Sequence, residues 1–240
     1  MKRALLFLCL GVFIAFVIQP NLNMDLHSDS VRVPDISDSQ PTTNEEASIK
    51  KCKSHARIGI DAAHGGTDFG YTEDDKIPEK EINLELALNI GRKLEMYGYE
   101  VVYTRESDHV DGSNTDDDES AQRLAQLKSQ DVDYILRIKM SNNVDTLKKG
   151  YAIFTQPSEP VHSLAKTISK ELNIINFSTC EGVDSDHYSN FPILNDKEVP
   201  SILIEMGYLT NHDDYSKLTD VSFQEKIGQA ITNAFLKEIN

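Results

Sequence analysis

From Arg57 to its C terminus, the chain alternates short apolar runs with longer amphipathic stretches. Five of the short runs predict β-strands, at residues 57–61, 99–104, 132–140, 151–154 and 201–205. The stretches between and after them predict helices, at residues 78–97, 120–129, 160–172 and 222–239. Strands that alternate with helices predict an α/β fold, a three-layer α/β/α sandwich around a mixed, mostly parallel sheet of about six strands.

The N-terminal segment, residues 1–20, has the pattern of an export signal. Lys2 and Arg3 precede an uninterrupted apolar run over residues 4–18. As a helix this run would rise about 22 Å, short of the roughly 30 Å hydrocarbon core of a bilayer. No small-x-small cleavage site follows it directly. We therefore expect an exported protein, either anchored in the membrane through this segment or secreted if the leader is cleaved.

Residues 21–56 are rich in Ser, Asp, Asn, Pro and Thr and show no apolar periodicity. Such a segment cannot bury enough apolar surface to order itself, so we predict a disordered polar linker. The folded domain is then expected over residues 57–240. Cys52 and Cys180 show no metal-binding spacing, and we expect two unpaired thiols in linker and loop.

The charge of the chain excludes one class of partner. The formal net charge is −15, with 39 acidic against 24 basic side chains. A protein that binds nucleic acid needs a basic face to neutralise phosphates, so we expect no nucleic-acid partner.

Three polar residues occupy positions where sites are commonly built. His64 follows the first predicted strand and precedes two glycines, although a loop histidine is more often solvated than a ligand. Glu79 begins the first predicted helix, where a carboxylate also complements the helix dipole. Glu205 ends an apolar strand, and a buried carboxylate is costly unless it is paired or functional. Glu205 is therefore the strongest candidate.

Together these residues resemble the zinc-dependent N-acetylmuramoyl-L-alanine amidases of bacterial cell walls. The resemblance rests on IDAAHGG at residues 60–66, on Glu79 with its following lysine, and on PSILIEMGYLTN at residues 200–211. It runs from about Arg57 to the end of the chain. The short layout behind an apolar leader is similar to that of the spore-cortex amidases.

The resemblance implies a role for each residue. His64 and Glu79 would be two zinc ligands, and Glu205 would be the general base and acid. Zinc with three protein ligands and an open position activates water and polarises a carbonyl. The implied substrate is peptidoglycan, cleaved at the amide between the lactyl group of muramic acid and L-alanine of the stem peptide.

The chain departs from this family at the third zinc ligand. The third strand of the family ends in Ser-x-His-x-Asn, and here Arg137 takes the place of the serine and Lys139 that of the histidine. An ammonium group cannot bind zinc, because lysine must first lose a proton with a reference pKa near 10.4. Strand alternation sends Arg137 and Lys139 to one face of the sheet, where they would line the site.

Three explanations follow for the missing ligand. Another histidine could complete the site, with His162 and His187 as the candidates. Zinc could bind weakly through His64, Glu79 and water. In the third explanation no zinc binds, and Arg137 and Lys139 form salt bridges to Glu79 and Glu205.

The sequence thus predicts an amidase-like peptidoglycan hydrolase. The alternative is a catalytically impaired pseudo-amidase that binds peptidoglycan or regulates a true amidase. A membrane-tethered structural domain unrelated to wall chemistry is the other rival. Arg105 and Arg123 are interpreted as structural ion-pair partners, and Asn211 is expected to shape the turn into the last segment.

Overall fold

The computed structural model describes residues 56–110 and 116–239. The predicted leader and nearly all of the predicted linker lie outside these residues, so both stay predictions. The strands are β1 (Arg57–Ala62), β2 (Glu100–Tyr103), β3 (Tyr134–Ser141), β4 (Tyr151–Thr155), β5 (Cys180–Asp184) and β6 (Ser201–Tyr208). The helices are α1 (Glu79–Met96), α2 (Asp116–Lys128), α3 (Glu159–Ile174), α4 (Pro192–Asn195), α5 (His212–Thr219) and α6 (Val221–Glu238), with a 3-10 turn at Tyr188–Asn190.

The six strands form one sheet in the order β2-β1-β3-β6-β4-β5. All neighbouring pairs are parallel except β4 and β6, which run antiparallel. The predicted mixed and mostly parallel sheet is therefore confirmed. Because β1, β3 and β6 run in the same direction, their carboxyl ends meet at one edge of the sheet, where α/β folds commonly build their sites.

Helices cover both faces of the sheet. The larger core lies between the sheet and helices α1, α3 and α6, and it holds Leu86, Leu164 and Ile231. The smaller core lies on the opposite face, where Leu127 of α2 and Ile193 of α4 pack against the sheet. The three-layer α/β/α arrangement is confirmed.

Several elements differ from the sequence prediction, among them α4 and the 3-10 turn, which were not predicted. Cys180 begins β5 and does not lie in a loop. The sequence of β5, CEGVD, has no apolar run, because this edge strand is only partly buried. Helix α2 begins at Asp116, four residues before the predicted start, and α5 was not predicted because it has only eight residues.

Asn211 has the position that the sequence analysis gave it, at the turn after β6. Its side-chain oxygen accepts hydrogen bonds from the N–H groups of Asp213 and Asp214 and so caps the start of α5. None of the helices in the described part of the chain combines the length and the apolar character of a bilayer-spanning segment.

Candidate active site

His64 is fixed by the loop that follows β1. Its backbone has a φ of +63°, a left-handed conformation, and its side chain is buried. The ring Nδ1 lies 2.6 Å from Oδ2 of Asp68, whose other oxygen, Oδ1, accepts a hydrogen bond from the N–H of Gly70. A carboxylate on one ring nitrogen orients the other, and Nε2 of His64 lies 3.3 Å from Oε1 of Glu79.

Glu79, the first residue of α1, is held on both of its oxygens. Oε2 accepts a hydrogen bond of 2.9 Å from the N–H of Tyr71, and Oε1 accepts one of 3.0 Å from the N–H of Met140. Burial acts to raise the pKa of Glu79, but the hydrogen bond and charge of His64, together with these two N–H groups, outweigh it and lower that pKa. The carboxylate is therefore kept ionised beside His64.

Gly70 makes the close approach of His64 and Glu79 possible. Its φ is +62°, and a Cβ at this position would lie 2.7 Å from Cδ2 of His64 and 2.8 Å from Oε2 of Glu79. Only a glycine avoids both the strained backbone and the two short contacts.

Glu205 lies in β6 on the opposite face of the sheet from the α1 core. Its Oε2 accepts a hydrogen bond of 2.8 Å from the hydroxyl of Ser141. Burial raises the pKa of Glu205; the Ser141 hydrogen bond and the charge of Lys139 oppose this, while the charges of Glu79 and Glu181 add to it. The net shift is upward, as expected of a group that accepts and returns a proton near neutral pH.

Lys139 is the direct neighbour of Glu205 across the β3–β6 ladder. Its charge acts on Glu205, but among residues 56–110 and 116–239 no ion pair joins Lys139 to either Glu205 or Glu79. Within the same residues no group of three or more His, Cys, Asp or Glu side chains forms a metal site.

The predicted salt bridges of Arg137 to Glu79 and Glu205 are wrong. Nη1 of Arg137 binds Oδ2 of Asp61 at 2.8 Å, in a pair that is almost fully buried. Asp61 also lies 3.2 Å from Nε of Arg123. Arg137 does share a face of the sheet with Lys139, and both line one cavity, but its ion pair is with Asp61, its neighbour on strand β1.

Arg105 and Lys80 hold the loops of the site in place. Arg105 donates to the carbonyl oxygens of Ala62, Ala63 and Lys80, and burial lowers its pKa to about 10. Nζ of Lys80 binds the carbonyl oxygen of Gly66 at 2.7 Å and Oδ2 of Asp108 at 2.6 Å. Both arginines predicted to be structural, Arg105 and Arg123, therefore contact protein groups.

The two other candidate histidines do not complete a metal site with His64 and Glu79 in the described residues. His162 lies in α3. His187 is exposed before the 3-10 turn, and its Nδ1 lies 2.7 Å from Oδ2 of Asp184. The explanation in which another histidine replaces the third ligand finds no support.

Comparisons with known proteins identify the family of this domain. The sequence profile of the N-acetylmuramoyl-L-alanine amidase family matches residues 58–237, which is nearly the whole described domain. The chain belongs to the N-acetylmuramoyl-L-alanine amidase family.

Relatives in the family include cell-wall and sporulation enzymes. The amidase LytC of Bacillus subtilis is 28% identical over 177 residues, which are 72% of this chain and 34% of LytC. The sporulation-specific N-acetylmuramoyl-L-alanine amidase of the same organism is 25% identical over 187 residues, 77% of this chain and 68% of that enzyme. Among solved structures, the CwlD amidase of Clostridioides difficile in complex with the GerS lipoprotein matches with a TM-score of 0.65 and 28% identity, covering 76% of this chain and 98% of CwlD.

Members of the amidase family are typically zinc-dependent, and the residues of this chain do not fit that metal. His64 and Glu79 supply two ligand positions and are already in contact with each other. The third position holds the ammonium group of Lys139, which offers no lone pair to a metal. A catalytic zinc site needs three protein ligands, so the donor set is incomplete.

The sequence analysis missed three residues that shape this site. Asp68 orients His64, Asp61 binds Arg137, and Ser141 binds Glu205. The alternation that placed Arg137 and Lys139 on one face also predicts Ser141 there, two residues further on. Asp68 and Asp61 give no such signal, because their partners are set by loop geometry and by pairing between strands.

Proposed function

We propose that this chain is an amidase-like peptidoglycan hydrolase directed to the amide between the muramic acid lactyl group and L-alanine. The observation that carries the proposal is the environment of Glu205. This carboxylate lies within β6 with a raised pKa, bound by Ser141 and next to the charge of Lys139. Family membership adds the substrate class.

The chain's own residues supply proton transfer and charge. Glu205 accepts a proton from the attacking water and returns it to the amine of the departing L-alanine. A general base at this position contributes typically 10²–10⁴-fold in rate, by order of magnitude. The Ser141 hydroxyl fixes the orientation of the carboxylate, and the Lys139 ammonium favours negative charge that develops beside it.

Zinc would activate the water and polarise the carbonyl in a typical family member. His64 and Glu79 are the two residues that would hold it here. We propose that this chain does not retain zinc tightly, because Lys139 occupies the position of the third ligand and cannot bind the metal. The weak-zinc explanation and the metal-free explanation both stay open.

A second candidate function is favoured by Lys139 itself. Without a complete metal site, the domain would bind peptidoglycan or regulate a true amidase without cleaving. In the binding protein, the surface that contacts peptidoglycan would keep its shape through His64, Glu79 and Glu205. The ion pair of Arg137 with Asp61 would support the same surface.

One assay separates the two candidates. The full-length protein and its Glu205→Gln variant are incubated with purified peptidoglycan, with and without added zinc, and new L-alanine amino groups are measured together with sedimentation on the peptidoglycan. Amine release by the wild type that is lost in the variant supports the hydrolase. Sedimentation without amine release under all conditions supports the binding protein. If neither occurs, both candidates fail.

We also propose that the chain works outside the cytoplasmic membrane. The support is Lys2 and Arg3 before the apolar run at residues 4–18, followed by a polar linker. Membrane anchoring and secretion after cleavage are the two forms of this proposal. Fractionation of cells with an antibody to the domain separates them, and a purely cytoplasmic signal would contradict both.

A further inference from the structure

Phe69 presents an aromatic ring to solvent beside the candidate site. The residue is 49% exposed, and in the part of the chain that the structure describes it is the only exposed phenylalanine. Both of its neighbours in the chain contact site residues. The carboxylate of Asp68 lies against the ring of His64, and Gly70 packs closely on His64 and Glu79. Since consecutive Cα atoms are about 3.8 Å apart, the ring starts within one residue of these contacts.

The ring of Phe69 is held in place by protein groups. Nζ of Lys80 lies 3.9 Å from its centroid, in a cation–π contact. The same ammonium group binds the carbonyl oxygen of Gly66 at 2.7 Å and Oδ2 of Asp108 at 2.6 Å, and the lysine side chain is almost fully buried. The N–H of Lys80 also donates to the carbonyl oxygen of Phe69. A contact surface that is ordered in advance loses less conformational entropy when a ligand binds.

The surroundings of this ring suit a small polar ligand better than a protein partner. A stable protein interface buries about 1,200–2,000 Å² in total, whereas the side chains around Phe69 are polar. Thr67 is exposed, and the carboxylates of Asp68 and Asp108 are partly exposed. A sugar has polar edges and apolar C–H faces. It can therefore lay one face on an aromatic ring, whose π-electron face attracts weakly positive C–H groups, while its hydroxyls bind the polar neighbours.

We propose that Phe69 is a substrate-binding residue that contacts the apolar face of the N-acetylmuramoyl sugar. The family to which the chain belongs is named for an amide that carries this sugar on its acyl side. The proposal deepens the proposed function and rests on it. Glu205 acts on the amide, and Phe69 distinguishes an amide that is linked to a sugar from an ordinary peptide bond.

A tryptophan at this position reports the contact directly. The chain contains no tryptophan, so Phe69→Trp gives the full-length protein a single indole at the proposed contact. The two probes are N-acetylmuramoyl-L-alanine amide and N-acetyl-L-alanine amide, which share the alanyl part and differ in the sugar. Both are titrated in the Glu205→Gln background, which prevents turnover. We expect a saturable change in indole emission with the sugar probe and no change with the other.

The matched control for the fluorescence experiment is Tyr97→Trp. Tyr97 is 44% exposed and follows α1 at the end opposite Glu79, about 27 Å away along a helix of 18 residues. Its indole should respond to neither probe.

Calorimetry with the sugar probe measures how much the ring contributes to affinity. Phe69→Ala should bind the probe about tenfold more weakly, which corresponds to about 1.4 kcal/mol. Phe69→Tyr keeps an aromatic face and should retain the affinity, as should Tyr97→Ala. The Tm of each variant is measured beside its affinity. If Phe69→Ala does not fold, the emission of the Phe69→Trp variant still decides the question.

The outcomes separate the sugar contact from the function on which it rests. Unchanged affinity in Phe69→Ala, or equal emission changes with both probes, overturns the sugar contact and leaves the amidase proposal intact. Absence of binding by either probe, together with absence of sedimentation on peptidoglycan, overturns both.

Discussion

Lys139 and Glu205 are direct neighbours on the parallel strands β3 and β6, yet they form no ion pair in the described structure. The lysine is close enough to act on the pKa of Glu205, and its side chain lines the cavity beside it. The resemblance to the amidase family implies a metal ligand at this position. We therefore infer that the site keeps the residue proposed for proton transfer and lacks one of the residues that would bind the metal.

Lys139→His should restore metal binding. The new imidazole would join His64 and Glu79 as a third ligand on a scaffold that already orients both, so the variant should hold stoichiometric zinc. Metal analysis of the purified full-length protein measures this, beside wild type and Lys149→His, whose new histidine lies away from the site. One tightly bound zinc per chain in the wild type would contradict our account of the third ligand.

Glu205→Gln should change how stability depends on pH. The pKa of Glu205 is raised in the folded state, so its contribution to stability is fully present below the unfolded value and is lost as pH rises through the folded pKa. The glutamine does not titrate. The variant should therefore gain stability over wild type as pH rises from acid to neutral, measured as the difference in Tm.

The matched control for this experiment is Glu81→Gln, on the exposed side of α1. Its Tm difference from wild type should not grow with pH in the same way. A Glu205→Gln variant that loses stability relative to wild type with rising pH would show that the sign of the pKa shift is wrong.

Asp61→Asn should destabilise the domain strongly. Asp61 is fully buried and pairs with Arg123 and Arg137, so the substitution removes the anion that binds the buried guanidinium of Arg137. We expect a loss of about 3–5 kcal/mol in the free energy of unfolding. Urea unfolding at neutral pH measures it. Asp213→Asn breaks the exposed pair with Lys149 and should leave that free energy nearly unchanged, so equal losses in the two variants would refute this interpretation.

Gly70→Ala should disturb the site and the fold together. The left-handed backbone alone costs an alanine roughly 1–2 kcal/mol, and the new Cβ would also press on His64 and Glu79. In the Lys139→His background, we expect Gly70→Ala to weaken zinc binding as well as stability. Gly182→Ala, where a Cβ meets open space, should affect neither property to the same degree. Unchanged zinc affinity in the Gly70 variant would mean that the contact does not position the ligands.

Much of the fold could be predicted from apolar patterning, and the features that were not predicted have physical reasons. The alternation along β3 placed Arg137 and Lys139 on one face correctly, because side-chain direction in a strand depends only on position. The partner of Arg137 could not be read in the same way, since Asp61 is brought beside it by the β1–β3 register. Strand β5 was missed because an edge strand that is half-buried needs no apolar run.

The same contrast holds for the candidate site: some of its residues could be predicted from the sequence, and others depend on tertiary contacts. His64, Glu79 and Glu205 were predicted from family motifs, and the structure brings His64 and Glu79 into contact. Their supporting residues, Asp68 and Ser141, depend on loop geometry and on a bulge in β3 between Lys139 and Ser141. The alternation along β3 indicates the face of Ser141 but not its partner, and no short-range sequence pattern indicates the role of Asp68.

The position of β6 within the sheet has a consequence for how the protein is made. It is the last strand in the chain, and it lies between β3 and β4. Before β6 is synthesised and paired, β3 and β4 each expose an unpaired edge, which is a template for pairing with other chains. Glu205 is on this strand, so the carboxylate proposed for proton transfer takes its place only when β6 pairs with β3 and β4. A chain released before residue 201 by stalled synthesis or export would lack Glu205 and would expose two unpaired strand edges.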